Sequence, residues 1–153
     1  MSGVLLRANS GEVALTAATA KTALQVVAAA NHRVKVLGFA VFFKGTSATD
    51  TPVKYRILRQ TTTGTMSAGT AGTYLSKNND GDDETVQTTV QHTATVEPTP
   101  GDVLEFGEIH PQTGARWFYP LSQELIIKGG GRVGVELTAA QNQTVVVTAD
   151  LDE

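Results

Sequence analysis

The segment VQTTVQHTATV, residues 86–96, alternates side chains with a period of two. Because successive side chains of a strand point to opposite faces of the sheet, one face of this segment is mostly apolar, the dry face, and the other is polar and faces solvent, the wet face. The dry face carries Val86, Thr88, Val90, His92, Ala94 and Val96, and the wet face carries only Gln and Thr, followed by Glu97 just past the segment. Residues 53–58, 132–138 and 144–151 alternate in the same way. The pattern predicts half-buried antiparallel strands.

A continuous apolar run, VKVLGFAVFF at residues 34–43, leaves almost no polar position. A run of this length, rich in aromatic and β-branched residues, is typical of a central strand covered on both faces. We expect it in the middle of the core. Alternatively, a neighbouring subunit seals one of its faces.

Residues 19–30 fit two kinds of element. Ala20, Leu24, Val27 and Ala28 have helical spacing, whereas Leu24, Val26 and Ala28 have strand spacing. Strand is favoured, because every neighbouring segment reads as a strand.

Segments rich in Gly, Pro, Asn and Ser separate these runs at intervals that suit β-connections. The sequence therefore predicts an all-β fold, a single antiparallel β-sandwich of about eight strands that is jelly-roll-like. We divide the chain into an N-terminal arm, residues 1–11, and the sandwich, residues 12–153. Residues 64–83 form a connection of a length that usually indicates a functional or mobile loop.

The composition excludes several classes of function. The chain has 153 residues, no cysteine and a formal net charge of −3. Disulfides and thiolate sites are therefore absent, and there is no general electrostatic attraction to nucleic acid or anionic membranes. The first residues lack the features of a signal peptide, and no apolar run reaches membrane-spanning length. We expect assembly in a cytosol-like compartment.

The titratable residues form few promising groups. His92, on a dry face, is expected to be a neutral core histidine. Glu108 and His110 share a face of an extended segment, as a metal or acid–base pair would, but a solvated strand end is favoured. The acidic residues 78–84 fail the EF-hand spacing, which favours a solvated turn over a calcium site. With no nucleophile elbow and no P-loop, we expect no enzyme activity, no metal and no cofactor.

Two segments are candidates for contact with other molecules. One combines a cation with three aromatic residues at 116–119, and it suits a contact patch, a stacking platform or part of the core. The other is an apolar stretch inside the predicted arm. It would have no contact to make in a monomer, and it would lie across either a neighbouring subunit or the shell beneath. The candidate interface residues are Val4, Leu5, Leu6, Arg7, Arg116, Trp117, Phe118 and Tyr119.

Several segments resemble small proteins of tailed bacteriophages and of their prophage-like relatives. These are AKTALQ at 20–25, AANHRVKV at 29–36, PGDVLE at 100–105, EIHPQ at 108–112 and KGGGRVGV at 128–135. The resemblance implies a jelly-roll-like capsid decoration, or cement, protein. Such a protein belongs to the virion, binds the major capsid protein on the outside of the head, and is commonly a homotrimer.

Two alternatives remain open at this point. A carbohydrate- or receptor-binding module of a phage head or tail fibre would use Trp117 and Tyr119 as an open stacking platform. A cement protein would bury the same rings in its core or in a subunit interface. An enzyme, such as a degenerate cupin-like isomerase or hydrolase, would use His110, Glu108 and His92.

Overall fold

The computed structural model describes residues 4–45, 50–68, 74–76 and 86–153. Within these ranges the chain forms thirteen β-strands and no helix, which confirms the all-β prediction. The strands are β1 (Leu5–Asn9), β2 (Val13–Leu15), β3 (Ala20–Val27), β4 (Val34–Lys44), β5 (Val53–Gln60), β6 (Thr65–Ala68), β7 (Tyr74–Ser76), β8 (Thr89–Val96), β9 (Pro100–Ile109), β10 (Ala115–Phe118), β11 (Leu125–Ile127), β12 (Arg132–Thr138) and β13 (Gln143–Asp152).

The strands pair antiparallel in two sheets that pack against each other. The first sheet has the order β10-β4-β13-β1-β7, with β11 also on β4 and β2 also on β13. The second sheet has the order β6-β8-β3-β12-β5-β9. Inward side chains of both sheets, such as Val41, Val147, Ile57 and Val135, form one continuous core. The predicted sandwich is confirmed, but the prediction of about eight strands was wrong, because the described residues form thirteen, several of them only three to five residues long.

The connectivity is that of a jelly roll. Strands β1 and β2 are two pieces of one position on β13, and β10 and β11 are two pieces of one position on β4. Leaving out β6, β7 and β8, the strands occupy eight successive positions along the chain. In order, these are β1 with β2, β3, β4, β5, β9, β10 with β11, β12 and β13. The first, eighth, third and sixth lie side by side in one sheet, and the second, seventh, fourth and fifth in the other. This arrangement is the jelly-roll pattern expected from the sequence.

The segment 64–83, predicted to be one long connection, contains two strands instead. It adds β6 to the edge of the second sheet beside β8, and β7 to the edge of the first sheet beside β1. The prediction was wrong because β6 and β7 are only four and three residues long, too short for a periodic signal. Residues 69–73 and 77–85 lie outside the described ranges.

The predicted N-terminal arm is also corrected. Residues Leu5–Asn9 form β1, which lies between β13 and β7 in the first sheet. Leu6 and Ala8 point inward and are fully buried. The stretch was expected to be loose because its partner β13 is at the other end of the chain, and local sequence does not reveal that pairing.

The apolar run at 34–43 forms β4, a central strand between β13 and β10 with β11, as expected. Its inward residues include Val34, Val36 and Phe39, all buried. The outward side is covered at Ala40 but opens at Phe42, which is 44% exposed. The expectation that both faces are covered therefore holds for only part of the strand.

Two further segments follow the sequence prediction with local changes. Residues Ala20–Val27 are strand β3, as favoured, and β3 pairs with β12 and β8. In β8 the alternation holds at Val90 and Ala94, which are buried, but Val96 is exposed. The strand becomes irregular at Thr93, whose φ is +53°. Within the ranges given above, no helix is long and apolar enough to cross a membrane.

Candidate functional site

The outward side chains of the first sheet converge on one buried carboxylate. Arg7 of β1 and Gly38 of β4 both lie opposite Asp150 of β13, and Arg116 of β10 lies opposite Ala40. Arg7 Nε donates to Asp150 Oδ1 at 2.9 Å, and Arg116 Nη2 donates to Asp150 Oδ2 at 3.4 Å. Asp150 is only 3% exposed. We call Arg7, Arg116 and Asp150 the arginine–aspartate cluster.

The residues of β4 next to the cluster are small, since Gly38 lies opposite Asp150 and Ala40 lies opposite Arg116. The Arg7–Asp150 bond, at 2.9 Å, is a charge-assisted hydrogen bond of the strong kind, whereas the 3.4 Å contact of Arg116 is longer and weaker. A guanidinium group is weakly hydrated and stacks on flat apolar surfaces, so it suits a surface that other molecules cover. The cluster therefore forms an ordered, polar centre for the outer face of the first sheet.

Apolar side chains lie along the β10–β11 side of this cluster. Phe118 is 59% exposed, and the guanidinium carbon of Arg116 lies 5.4 Å from the centre of its ring. Ile126 of β11 and Phe42 of β4 are also exposed on the outward side. We call Phe42, Phe118 and Ile126 the outer-face patch. Leu121, in the turn between β10 and β11, is 90% exposed beside it.

The structure divides the predicted interface residues between the two sides of the first sheet. Arg7, Arg116 and Phe118 point outward and meet at the arginine–aspartate cluster, and Leu5 has the same outward register as Arg7. Leu6 points inward into the core.

Three other predicted residues support the fold rather than the outer face. Val4 is partly buried against the core, and its backbone exchanges two hydrogen bonds with Glu153. Trp117 packs with its ring centre 6.0 Å from that of Phe39 and 5.2 Å from that of Tyr55. Tyr119 lies 6.3 Å from Phe39, edge-on. Trp117 and Tyr119 are therefore not an open stacking platform.

Two tyrosines join the sheets through one carboxylate. Tyr119, after β10, donates its hydroxyl to Glu105 Oε2 at 2.7 Å, and Tyr55 of β5 donates to Glu105 Oε1 at 2.9 Å. Burial, followed by the hydrogen bond and the negative charge of Glu105, raises the pKa of Tyr55 to about 12. The same causes raise the pKa of Tyr119 further. We call Tyr55, Tyr119 and Glu105 the tyrosine clasp.

The structure does not bring His92 together with the other candidate catalytic residues, Glu108 and His110. His92 lies on β8 and Glu108 on β9, and β3, β12 and β5 separate these strands in the second sheet. At about 4.8 Å per strand, four spacings place them roughly 19 Å apart. His92 Nδ1 lies 3.0 Å from Thr93 Oγ1, and His110 Nε2 lies 3.9 Å from Asp50 Oδ1.

His92 is half-buried, so the expectation of a core histidine is met only in part. Within the described part of the chain, no three His, Asp or Glu residues are grouped so that they could hold a metal ion. The acidic segment 78–84 lies outside the described residues.

Sequence reasoning missed Asp150 and Phe42. The alternation of residues 144–151 placed Asp150 on the polar side of its strand, which is correct. Nothing local shows that two arginines from other strands cover it. Phe42 was assigned to a doubly covered strand. It is exposed just beyond the start of β10, whose first residue, Ala115, lies opposite Val41, and the residue beside it is Gly114, which has no side chain.

Comparisons with known proteins returned no matching family model, no matching curated protein and no matching solved structure.

Proposed function

We propose that the protein is a structural component of a bacteriophage head that binds the outer surface of the capsid and reinforces contacts between major capsid subunits. The outer face of the first sheet is the binding surface in this proposal. The observation that carries it is the grouping of the outer-face patch around the arginine–aspartate cluster. The segments that resemble phage proteins suggest the identity of the partner.

The physical character of this face supports contact with another protein. Arginine and large aromatic residues are enriched where protein interfaces are most strongly stabilised. Full burial of one exposed phenylalanine contributes roughly 1.5–3 kcal/mol. Phe42 and Phe118 are each about half exposed, so a partner that covers them gains a substantial part of that free energy. The ordered guanidinium groups of Arg7 and Arg116 can donate to partner carbonyls and carboxylates at low entropic cost.

Reinforcement of the capsid follows from the thermodynamic linkage between binding of this protein and assembly of the shell. A protein that binds the assembled shell and not its separated subunits stabilises the shell by mass action. A homotrimer, which we include in the proposal, increases this effect because one attached copy raises the local concentration of the other two.

The test uses empty heads of the phage that encodes the chain, stripped of this protein. We expect added protein to sediment with the heads and to raise their thermal disassembly temperature. The double variant Phe42→Ser/Phe118→Ser should bind at least tenfold more weakly, because about 1.4 kcal/mol of lost apolar contact suffices for that factor. The control is Phe106→Ser, a phenylalanine on the second sheet that is more exposed, at 78%, than either Phe42 or Phe118.

Three results would count against the proposal: no binding to heads, binding that leaves the disassembly temperature unchanged, or equal weakening by the control. Light scattering of the purified protein measures the oligomeric state, and a monomer at all concentrations contradicts the homotrimer.

A further inference from the structure

A groove lies on the outer face of the second sheet, on the opposite side of the molecule from the arginine–aspartate cluster. Its volume is about 830 Å³. Sites for small molecules typically have volumes of roughly 300–1,000 Å³ and combine apolar surface with a few polar groups. The groove runs across β12, β5 and β9, and the residues that decide its chemistry are Lys54, Arg56, Val103, Phe106, Glu108 and Glu136.

Two cross-strand pairs of opposite charge line the groove. Glu136 of β12 lies opposite Arg56 of β5, and Lys54 of β5 lies opposite Glu108 of β9. Glu136 Oε1 accepts from Arg56 Nε at 2.8 Å and from Arg56 Nη2 at 2.5 Å. Since a guanidinium group has five N–H donors, this pair leaves further donors of Arg56 directed away from Glu136.

These four side chains carry two positive and two negative charges, so their net charge is zero. A phosphate or carboxylate ligand gains from Lys54 and Arg56 but is repelled by Glu108 and Glu136, and a cation meets the reverse. A neutral ligand with many hydroxyl groups fits better, because each hydroxyl both donates and accepts. The groove thus provides donors and acceptors side by side for such a ligand.

Phe106 provides an apolar surface at the rim of the same groove. It is 78% exposed and lies opposite Arg56 in the register of β5 and β9. The face of an aromatic ring is electron-rich and attracts weakly positive C–H groups that lie flat against it. The faces of sugar rings present such C–H groups, and their edges present hydroxyls.

We propose that this groove binds a short neutral oligosaccharide, with one sugar ring against Phe106 and its hydroxyls hydrogen-bonded to Arg56, Glu136, Lys54 and Glu108. This site is separate from the proposed capsid-binding face, and it does not use Trp117 or Tyr119. A capsid-bound protein that attaches by its first sheet would present the groove outward.

The experiment titrates the full-length, ¹⁵N-labelled protein with neutral hexasaccharides of glucose, xylose, mannose, galactose and N-acetylglucosamine at millimolar concentration. We expect at least one sugar to shift amide resonances of β5, β9 and β12 around the groove in a saturable way. Phe106→Ala should weaken the dissociation constant at least tenfold, equivalent to 1.4 kcal/mol. Glu108→Gln should weaken it less, because an amide keeps one acceptor.

Phe118→Ala is the matched control, and it should leave the dissociation constant unchanged because Phe118 lies on the other sheet. Unchanged amide spectra away from the groove show that the variants fold. No shift in the groove with any sugar, or binding that Phe106→Ala leaves intact, overturns the proposal. If Phe106→Ala instead reduces the oligomeric mass in light scattering, the groove is a contact between copies of the chain, and the proposal is also wrong.

Discussion

Asp150 combines two properties that rarely occur together in one residue, a position on the outward side of its sheet and near-complete burial. The side chains of Arg7 and Arg116, which form ion pairs with the Asp150 carboxylate, lie between it and solvent. A buried carboxylate with two arginine partners is compensated, but each arginine then depends on the carboxylate as well.

Asp150→Asn should therefore destabilise the protein. Two guanidinium groups would face a neutral amide, and we expect the free energy of unfolding to fall by about 2 kcal/mol. This is less than the ~3–5 kcal/mol for fully buried pairs, because both arginines keep part of their side chain in water. Urea unfolding measures the change. The control is Asp152→Asn, whose carboxylate lies 3.9 Å from Lys35 Nζ in a more exposed position. Equal losses in the two variants would contradict the special role of Asp150.

At the scale of the strand, β10 approaches β4 closely because residue 38 has no side chain. A Cβ at Gly38 would overlap the carbonyl oxygen of Trp117 and lie 2.7 Å from Cδ1 of Phe118. The position of β10, which carries both Arg116 and Phe118, depends on this close approach.

Gly38→Ala should displace β10 from β4. Inserting a methyl group into a well-packed position costs about 1–3 kcal/mol, and we expect a loss of stability in that range. Trp117 is the single tryptophan of the chain and lies on β10, so its fluorescence should shift to the red as the ring becomes more exposed. The control is Gly101→Ala on the edge strand β9, where the nearest atom to the added Cβ is the Arg59 carbonyl oxygen at 3.1 Å. An unshifted spectrum for Gly38→Ala would contradict the displacement.

The strands differ in how well the sequence predicted them. Period-two alternation predicted β5, β8, β12 and β13, because one side of each strand packs on the core and the other does not. The missed strand β1 pairs with β13, and the Arg7–Asp150 hydrogen bond joins residues 143 positions apart. The candidate site combines such distant segments. Its individual arginines and aromatics could therefore be named from the sequence, whereas their grouping around Asp150 could not.

For the whole molecule, the tyrosine clasp joins the two sheets near their edge strands β10 and β9. Tyr119 follows a strand of the first sheet, while Tyr55 and Glu105 belong to the second. Both hydroxyls must stay protonated to donate to the carboxylate.

The clasp predicts a loss of stability in alkaline solution. The pKa of Tyr55 is raised from 10.0 to about 12 in the folded protein. The stabilisation is therefore complete below pH 10, where tyrosines of the unfolded chain are also neutral, and it is lost as pH rises toward 12. Urea midpoints measured across this range should fall. Tyr55→Phe/Tyr119→Phe is the control, and its midpoint should fall less steeply because the two hydroxyls that donate to Glu105 are gone. Parallel curves for the two proteins would contradict the prediction.

The strand order also gives the two flanks of the second sheet unequal edges. Within the described residues, one flank ends in β9, which has ten residues, and the other ends in β6, which has four and pairs irregularly with β8. Linear polymers made by strand pairing need two long edges that match on every copy. A copy added at β9 would offer only a short, irregular edge to the next one. Among the described strands of this sheet, repeated addition by edge pairing is therefore disfavoured, because the two edges do not match in length or regularity.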